Sequence, residues 1–435
     1  MSFRNIIFST VPKRRTSSLL NATRHHLIAP STSYCRRNAS KLSAVTQSNA
    51  RISTVFTALI LLGVASTGYG VYEFYSTFTM WPEEIRGDLR AGVKAKHQDD
   101  LFLSERYLQR AYETSLTLPL DKLSTEPYLK LSGIASVYGE VLEKNGKAQQ
   151  AYEVYSNILQ LLKDNLKELS GRERVRAAAI SYKLGEMAEE YQQPAEEEEK
   201  WLVWSVEEML RIVRDNKLGL LTSPSIFTPS WSTSQGEKQR QQEQSKDETV
   251  DLSELDLPRW ITTMDLVGPL QALGSFYGRT GKQEYAVPLY LSALNVLMPP
   301  DSKHVSVEAK CQGANIMNSL ADCLVQHSPT PQRREQAESW IKKAIAILSE
   351  TKSTIPINDI DSQKECDVVL ASSYFNIASL REMAGDLEGA KKWYIESKKH
   401  SASIGMKEGV MESEVALRRI IRIEKYGKGA VETSK

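Results

Sequence analysis

Few residue combinations in this 435-residue chain match a pattern that could do chemistry. Arg279-Thr280-Gly281-Lys282 contains a Gly-Lys pair, but the upstream glycine and the downstream hydroxyl of a phosphate-binding loop are missing. The sequence has no His-Glu-x-x-His, Gly-x-Ser-x-Gly or Cys-x-x-Cys motif, and its histidines show no metal-ligand spacing. We therefore expect no cofactor and no metal, and we do not expect an enzyme.

The charges are unevenly distributed along the chain. All 54 Asp and Glu lie after residue 72, whereas nine of the 55 Lys and Arg lie in residues 1–51. From residue 52 onward, 46 basic residues stand against 54 acidic ones, a net charge of −8. Nucleic-acid binders usually present a basic face, so we expect no nucleic-acid partner.

The four cysteines are too few for a disulfide framework in a chain this long. Cys311 and Cys323 are twelve residues apart on one predicted helix, roughly 18 Å along its axis, which is too far for a bond between them. Ordinary buried thiols are favoured, while a bridge from Cys366 to either of the two stays open.

The elements that position the polar residues are predicted to be paired helices. Leu273-Gly274 is followed, twelve residues after the glycine, by Ala286, then by Tyr290 and Ala293, with Gly281 at the turn. Small residues let two helices approach closely, and the large residue fills the space between them. This is the spacing of the tetratricopeptide (TPR) repeat.

Five further copies bring the predicted number of helix pairs to six. Three have good matches: Gly139 with Ala151 and Tyr155, Gly92 with Ser104 and Leu108, and Ala378 with Ala390 and Tyr394. Two are imperfect: Gly185 with Glu197, Trp201 and Trp204, and Ala321 with Ala337, Ile341 and Ala344 after four extra residues. The residues assigned a structural role in the repeats are Gly92, Gly139, Ala151, Tyr155, Gly185, Gly274, Ala286, Tyr290, Ala293, Ala378, Ala390 and Tyr394.

A stack of such pairs binds ligands on the surface lined by its first helices. Counting outward from the Leu-Gly positions places acidic and polar residues, with two aromatics, on that surface. We expect a groove for an extended, partly apolar and basic polypeptide; the alternative is a merely solvated face. The predicted groove residues are Glu140, Glu143, Tyr182, Glu186, Glu189, Gln271, Asn315, Asn318, Asp322, Phe375 and Glu382.

The N-terminal region has the composition of a targeting segment. Residues 1–50 are rich in Arg, Lys, Ser and Thr and contain no acid, as is typical of a mitochondrial transit peptide, which we place at 1–40. The alternative is a disordered basic arm for an anionic surface.

Residues 52–72 follow without a single charge, and at ~1.5 Å per residue they match a bilayer core of about 30 Å. We predict one transmembrane helix with its basic N-terminal side in the mitochondrial matrix. Its small residues Gly63, Ser66, Thr67 and Gly70 would let another membrane helix approach, although ordinary glycine usage in a membrane span explains them as well.

The predicted fold class is an all-α, TPR-like helical-repeat solenoid that follows this single N-terminal transmembrane helix. The repeats occupy residues 79–218 and 258–400, and a capping helix at 405–426 closes the array. Residues 219–257 are rich in Ser, Thr, Pro, Gln and charge, which predicts a disordered insertion. The insertion is either passive or carries a short docking motif at Ile226, Phe227 and Trp231.

The order of these parts resembles a known family. Phe78-Thr79-Met80-Trp81-Pro82, then Glu84-Ile85-Arg86 with Leu89-Arg90, and Ser104-Glu105-Arg106-Tyr107 before a divided repeat array are similar to the fungal TPR adaptor subunit of the mitochondrial inner-membrane i-AAA protease complex. The resemblance implies an adaptor in the inner membrane, with its repeats in the intermembrane space. It would bind unfolded or misfolded client proteins and deliver them to the i-AAA protease and its membrane adaptor subunit.

Two alternatives share the predicted fold. One is an assembly factor for a respiratory-chain complex, which would hold a folded subunit. The other is an outer-membrane import receptor, whose repeats would face the cytosol.

Overall fold

The computed structural model describes residues 52–217 without 124, residue 257, and residues 260–299, 305–326, 329–356 and 359–432; of the side chains in residues 52–58, 73–79 and 426–432 nothing is described. In this part of the chain there are fourteen α-helices and a short 3-10 helix at Leu120–Leu123, with no strand. The α-helices are α1 Ile52–Thr79, α2 Glu83–His97, α3 Leu101–Thr117, α4 Pro127–Lys144, α5 Ala148–Asp164, α6 Gly171–Glu190, α7 Ala195–Lys217, α8 Thr263–Arg279, α9 Gln283–Leu297, α10 Val307–Gln326, α11 Pro331–Thr354, α12 Ile360–Met383, α13 Leu387–Ser403 and α14 Lys407–Glu432.

The helices fall into two compact units, divided between Ala151 and Tyr152 inside α5. The described N-terminal unit contains α1 to α4, and the C-terminal unit runs from Tyr152 through α14. The predicted transit peptide lies outside the described residues, as does the predicted insertion apart from Leu257.

Turns of nearly constant design join the two helices of a pair. The turn between α8 and α9 has three residues, and its middle residue, Gly281, has a φ of 80°. Gly146, Gly385 and Asp99 hold the same middle position in other three-residue turns, with φ between 61° and 82°. This left-handed conformation stops the first helix and reverses the chain, and it is least costly for glycine.

Side-chain caps start several helices. Ser170 and Glu173 form a reciprocal capping box at the start of α6, and Thr262 and Asp265 form another at the start of α8. These caps satisfy backbone N–H groups that have no partner within the helix.

The small residues of the repeat lie where two helices make their closest contact. A Cβ atom added to Gly92 would lie 2.7 Å from Leu108 Cγ, and one added to Gly274 would lie 3.1 Å from Tyr290. In both pairs the contacting residue is sixteen positions after the glycine. Ala286, Ala293 and Ala390 have no exposed surface, which shows how tightly the helices pack.

The pair α6 and α7 departs from this register by one residue. Gly185 contacts Leu202, seventeen positions later, with an added Cβ 2.5 Å from Leu202 Cδ2. The cause is the turn between the two helices, residues 191–194, which has four residues instead of three. Glu198, Leu202 and Ser205 are therefore the inward residues of α7. The expected set Glu197, Trp201 and Trp204 is wrong by one position. Trp201 is nevertheless largely buried, with 9% of its surface exposed.

α1 continues seven residues beyond the predicted membrane span. Its described side chains, Leu59 to Tyr72, are all exposed, and a Cβ added to Gly63 or Gly70 would meet no neighbour within 4 Å. Thr67 donates a hydrogen bond to the carbonyl oxygen of Gly63 at 2.8 Å. Within the described residues, no helix combines the length and the apolar character needed to cross a membrane. Packing of the small residues, including Ser66, against another membrane helix stays a prediction.

A disulfide joins Cys311 of α10 to Cys366 of α12, with 5.2 Å between their Cα atoms. This corrects the expectation of ordinary buried thiols, since only Cys323 among the described cysteines is free. First helices of successive pairs lie side by side, so two cysteines 55 residues apart can come within bonding distance.

α14 closes the described C-terminal unit. Ala416 and Ile420 are fully buried against Tyr394 and Phe375. Ser413 adds a hydrogen bond to Ser397 at 3.2 Å.

Candidate functional site

The predicted groove residues of the N-terminal unit lie on α4. Glu140 forms ion pairs with Lys96 at 2.5 Å and with Lys144 at 3.0 Å. Burial alone would raise the pKa of Glu140, but the hydrogen bonds from the two lysines hold it below its usual value. Glu143 is half-buried one turn further along. Glu140 therefore stabilises its own unit and has little charge left for a ligand.

On α6, the predicted groove residues form a hydrogen-bonded group. The Tyr182 hydroxyl donates to Glu186 at 2.7 Å, and burial together with the Glu186 charge raises the pKa of Tyr182 well above its usual value. Glu189 lies 3.7 Å from Arg279, which also pairs with the buried Glu198 at 2.5 Å. These carboxylates thus have partners inside the protein.

α8 and α10 meet through a pair of amides. Gln312 donates a hydrogen bond to Gln271 at 2.5 Å. The predicted groove residue Asn315 is half-buried on α10, and its carbonyl oxygen accepts a hydrogen bond from the Ser319 hydroxyl at 3.3 Å. Asp322, two turns beyond Asn315, has no ion-pair partner among the described residues, and burial raises its pKa to about 7. At neutral pH this carboxyl is therefore protonated in a substantial fraction of the molecules.

Unsatisfied amide groups lie at the junction of α10 and α12. Asn318 is 4% exposed and donates to the Ser373 hydroxyl at 2.8 Å, but its amide oxygen has no partner among the described residues. Asn376 is 2% exposed, and neither its amide nitrogen nor its amide oxygen has a partner there. A buried amide without a hydrogen bond costs about 1–3 kcal/mol, so such groups call for a physical explanation.

Two predicted groove residues on α12 lie elsewhere. Phe375 is 6% exposed and its ring centroid is 5.1 Å from that of Tyr394, so it belongs to the hydrophobic core and not to an open surface. Glu382 accepts hydrogen bonds from the Tyr394 hydroxyl at 2.8 Å and from Arg419 at 2.6 Å. Glu382 thus links three helices of the C-terminal unit, and its carboxylate oxygens are used by these hydrogen bonds.

Counting along ideal helices missed Ser373 and Asn376. A signal was present in the sequence: Ser372, Ser373 and Asn376 interrupt an otherwise apolar stretch of a first helix at positions i, i+1 and i+4. The described residues contain no group of three His, Cys, Asp or Glu that could hold a metal ion. The side-chain amides and the Asp322 carboxyl, which can be protonated, are better suited to hydrogen bonding with a polypeptide main chain than to acid–base chemistry.

The segment after α1, which carried the family resemblance, is bound to α2 and α4. The Trp81 carbonyl oxygen accepts two hydrogen bonds from the Arg86 guanidinium, at 2.7 and 3.0 Å. The Lys130 ammonium donates to the Met80 carbonyl at 3.0 Å and lies 6.0 Å from the centre of the Trp81 ring. This motif therefore holds the end of α1 on the first helices of its own unit.

Antiparallel helix pairs with small residues at their contacts and left-handed turns define a TPR-like, all-helical repeat protein. The chain is 28% identical over 152 residues to a TPR repeat-containing protein of Schizosaccharomyces pombe. The match includes 34% of this chain and spans 39% of the length of that relative. No family model matches the sequence.

Solved structures of low sequence identity are similar over much of the chain. BtubC from P. vanneervenii is 15% identical, with a TM-score of 0.46 over 70% of this chain and 92% of that one. The apo form of RapI is 12% identical, with a TM-score of 0.44 over 80% and 73%. The TPR2AB domain of yeast Sti1 in its pHSP90 complex has a TM-score of 0.26 over 77% of this chain and 98% of that one, at 9% identity. With TM-scores below 0.5, none of these structures bears on the function.

Proposed function

We propose that this chain is a non-enzymatic adaptor of the mitochondrial inner membrane that binds unfolded or misfolded proteins and delivers them to the i-AAA protease. The observation that carries the binding activity is the row of half-buried polar residues on the first helices, Gln271 of α8 and Asn315 and Asp322 of α10. An extended polypeptide exposes one N–H and one C=O per residue, and these groups match a side-chain amide as donor and acceptor. Recognition through the main chain tolerates many client sequences, as an adaptor for unfolded proteins requires.

The described charges refine the kind of ligand. Glu140, Glu189 and Glu382 each have a basic partner within the protein, so fixed charge contributes less to ligand binding than the residue types alone imply. Asp322 is near its pKa at neutral pH and can face an apolar or a basic segment with little desolvation cost. An extended, partly apolar segment is therefore the preferred ligand, and basic character is secondary.

Three observations support the membrane anchor and the compartment. The stretch from residue 52 to 72 has no charge, and its described apolar side chains, such as Leu62 at 70% and Val64 at 65%, are exposed instead of packed. The acid-free N-terminal region favours import into mitochondria. The Cys311–Cys366 disulfide favours a compartment in which disulfides persist. Together they support an array in the intermembrane space.

Client binding can be tested without loss of folding. Asn315→Leu replaces a half-buried amide of this row by an apolar side chain of similar size, so the variant should fold about as well as the native chain. Capture of a urea-denatured, photocrosslinkable client by the full chain should fall by about fivefold or more. Asn295→Leu, on the exposed side of α9, is the matched control and should leave capture unchanged. Equal capture by both variants would remove Asn315 from the binding site.

The identity of the machine requires a separate experiment. Affinity purification of the tagged chain from gently solubilised mitochondria should recover a hexameric ATP-dependent protease with its membrane adaptor subunit and heterogeneous clients. Recovery of one defined assembly intermediate would instead indicate an assembly factor for a respiratory-chain complex. Digestion of the array by protease added to intact mitochondria would indicate an outer-membrane receptor.

A further inference from the structure

The outward face of α14 carries exposed apolar residues where a terminal helix is expected to be polar. One face of this helix, with Ala416 and Ile420 at its centre, packs into the C-terminal unit. On the opposite face Met411 is 59% exposed and Val415 is 50% exposed. Terminal helices of repeat arrays normally present a polar outer surface to water, so this face is unusual.

Charged residues flank the two apolar ones in a definite order. Glu408 and Glu412 precede Val415, while Arg418 and Arg422 follow it. Spacings of three, four and seven residues place all of them with Met411 on the outward side of α14. Neither Glu408 nor Arg422 has an ion-pair partner among the described residues. The face is thus acidic in its first half and basic in its second half.

This order makes the face complementary to itself. When two identical helices cross antiparallel at Val415, the residue n positions before it faces the residue n positions after it on the other helix. Seven positions bring Glu408 opposite Arg422, and three bring Glu412 opposite Arg418. Each pairing occurs twice by symmetry, as in any two-fold interface. In a parallel arrangement, like charges would face each other.

We propose that this face of α14 binds a second copy of the same chain, as an antiparallel helix pair centred on Val415. Met411 and Val415 of each copy would be covered, and two Glu408–Arg422 ion pairs would set the direction and register. Two further pairs would form where Arg418 leaves Glu414 of its own helix, which lies 3.1 Å away. One helix per copy makes an interface at the small end of the range for specific contacts, so the dimer is expected to be reversible.

Charge exchange tests the pairing of Glu408 with Arg422. Glu408→Arg alone and Arg422→Glu alone should each weaken self-association of the full chain in detergent micelles by about tenfold, measured by sedimentation equilibrium. The double variant restores opposite charges across the two-fold axis and should return the association constant to near the native value. Failure of the double variant to recover, or an unchanged constant in either single variant, would overturn the proposal.

Cysteine crosslinking tests the centre of the contact. Val415→Cys brings two engineered thiols together at the axis, so oxidation should give a disulfide-linked dimer of the full chain. Glu388→Cys, exposed on α13, is the matched control and should crosslink several-fold less. A chain that stays monomeric at high micromolar concentration, or equal crosslinking at both positions, would show that α14 has another partner or none.

Discussion

Two junctions between neighbouring first helices of the C-terminal unit use polar groups in opposite ways. Between α12 and α14, Glu382 is satisfied by the Tyr394 hydroxyl and the Arg419 guanidinium. Between α10 and α12, the amide of Asn376 has no partner among the described residues, and a disulfide holds the helices together instead. The first junction is fully hydrogen-bonded, whereas the second keeps a buried amide without a partner among the described residues and relies on the covalent bond.

The largest effect is expected from removal of the covalent bond in the α10–α12 junction. Cys311→Ala with Cys366→Ala should lower the free energy of unfolding by roughly 4 kcal/mol, because a loop of 55 residues regains its freedom in the unfolded chain. Urea denaturation of the oxidised chain and of the double variant measures the difference. Cys323→Ala, which leaves the disulfide intact, is the control. Equal stability of the double variant and the native chain would show that the junction does not depend on this bond.

The next effect concerns Asp322 and depends on pH. The pKa of Asp322 is raised from 3.8 to about 7 by burial, so the folded chain binds a proton that the unfolded chain has lost. Its contribution to stability therefore decreases as pH rises from about 4 to 7. Asp322→Asn should stabilise the chain by about 2–3 kcal/mol at pH 8 and change little at pH 4. A constant difference between the two proteins from pH 4 to pH 8 would contradict the assigned pKa.

At the satisfied junction, a single change should destabilise the fold. Glu382→Ala leaves the buried Tyr394 hydroxyl and the Arg419 guanidinium without their acceptor, which should lower the free energy of unfolding by about 1–2 kcal/mol. Thermal unfolding followed by circular dichroism measures this loss. Client capture should stay unchanged, in contrast to Asn315→Leu, and a reduced capture would show that Glu382 also contacts ligand.

The smallest expected effect is a stabilisation, opposite in sign to that of Glu382→Ala. Asn376→Leu should raise the free energy of unfolding by about 1 kcal/mol, because it removes a buried amide that pairs with nothing described. The same thermal unfolding experiment applies. Destabilisation would indicate that the amide is satisfied within the folded chain, and the contrast between the two junctions would disappear.

Much of the helical fold follows from residue spacing, as Gly92 and Gly274 illustrate. Both glycines lie where a larger side chain would collide with the second helix. The register of α7 could not be predicted, because one extra residue in a turn leaves no mark on the apolar pattern of either helix. The pairing of Cys311 with Cys366 could not be predicted either, since residue spacing excluded only a bond between Cys311 and Cys323, which lie on one helix.

The candidate site was less predictable than the fold. Counting from Leu-Gly positions assigns a residue to a helix face, but it does not say how deeply the neighbouring helix covers that face. Phe375 is covered by Tyr394, and Glu382 is bound by Arg419, which lies 37 residues further along the chain. Such partners depend on how successive pairs stack, and this stacking is not encoded in any single pair.

The four-residue turn between α6 and α7 has a consequence for how such chains diverge. The turn keeps a left-handed residue, Gln192 with a φ of 52°, and the extra position is absorbed by shifting which residues of α7 face inward. An insertion or deletion at residues 191–194 is therefore tolerated when the next helix offers suitable inward residues in both frames. Alignments of this repeat with its relatives need a gap of one position there, and without it the contact residues Glu198, Leu202 and Ser205 are aligned one position out of register.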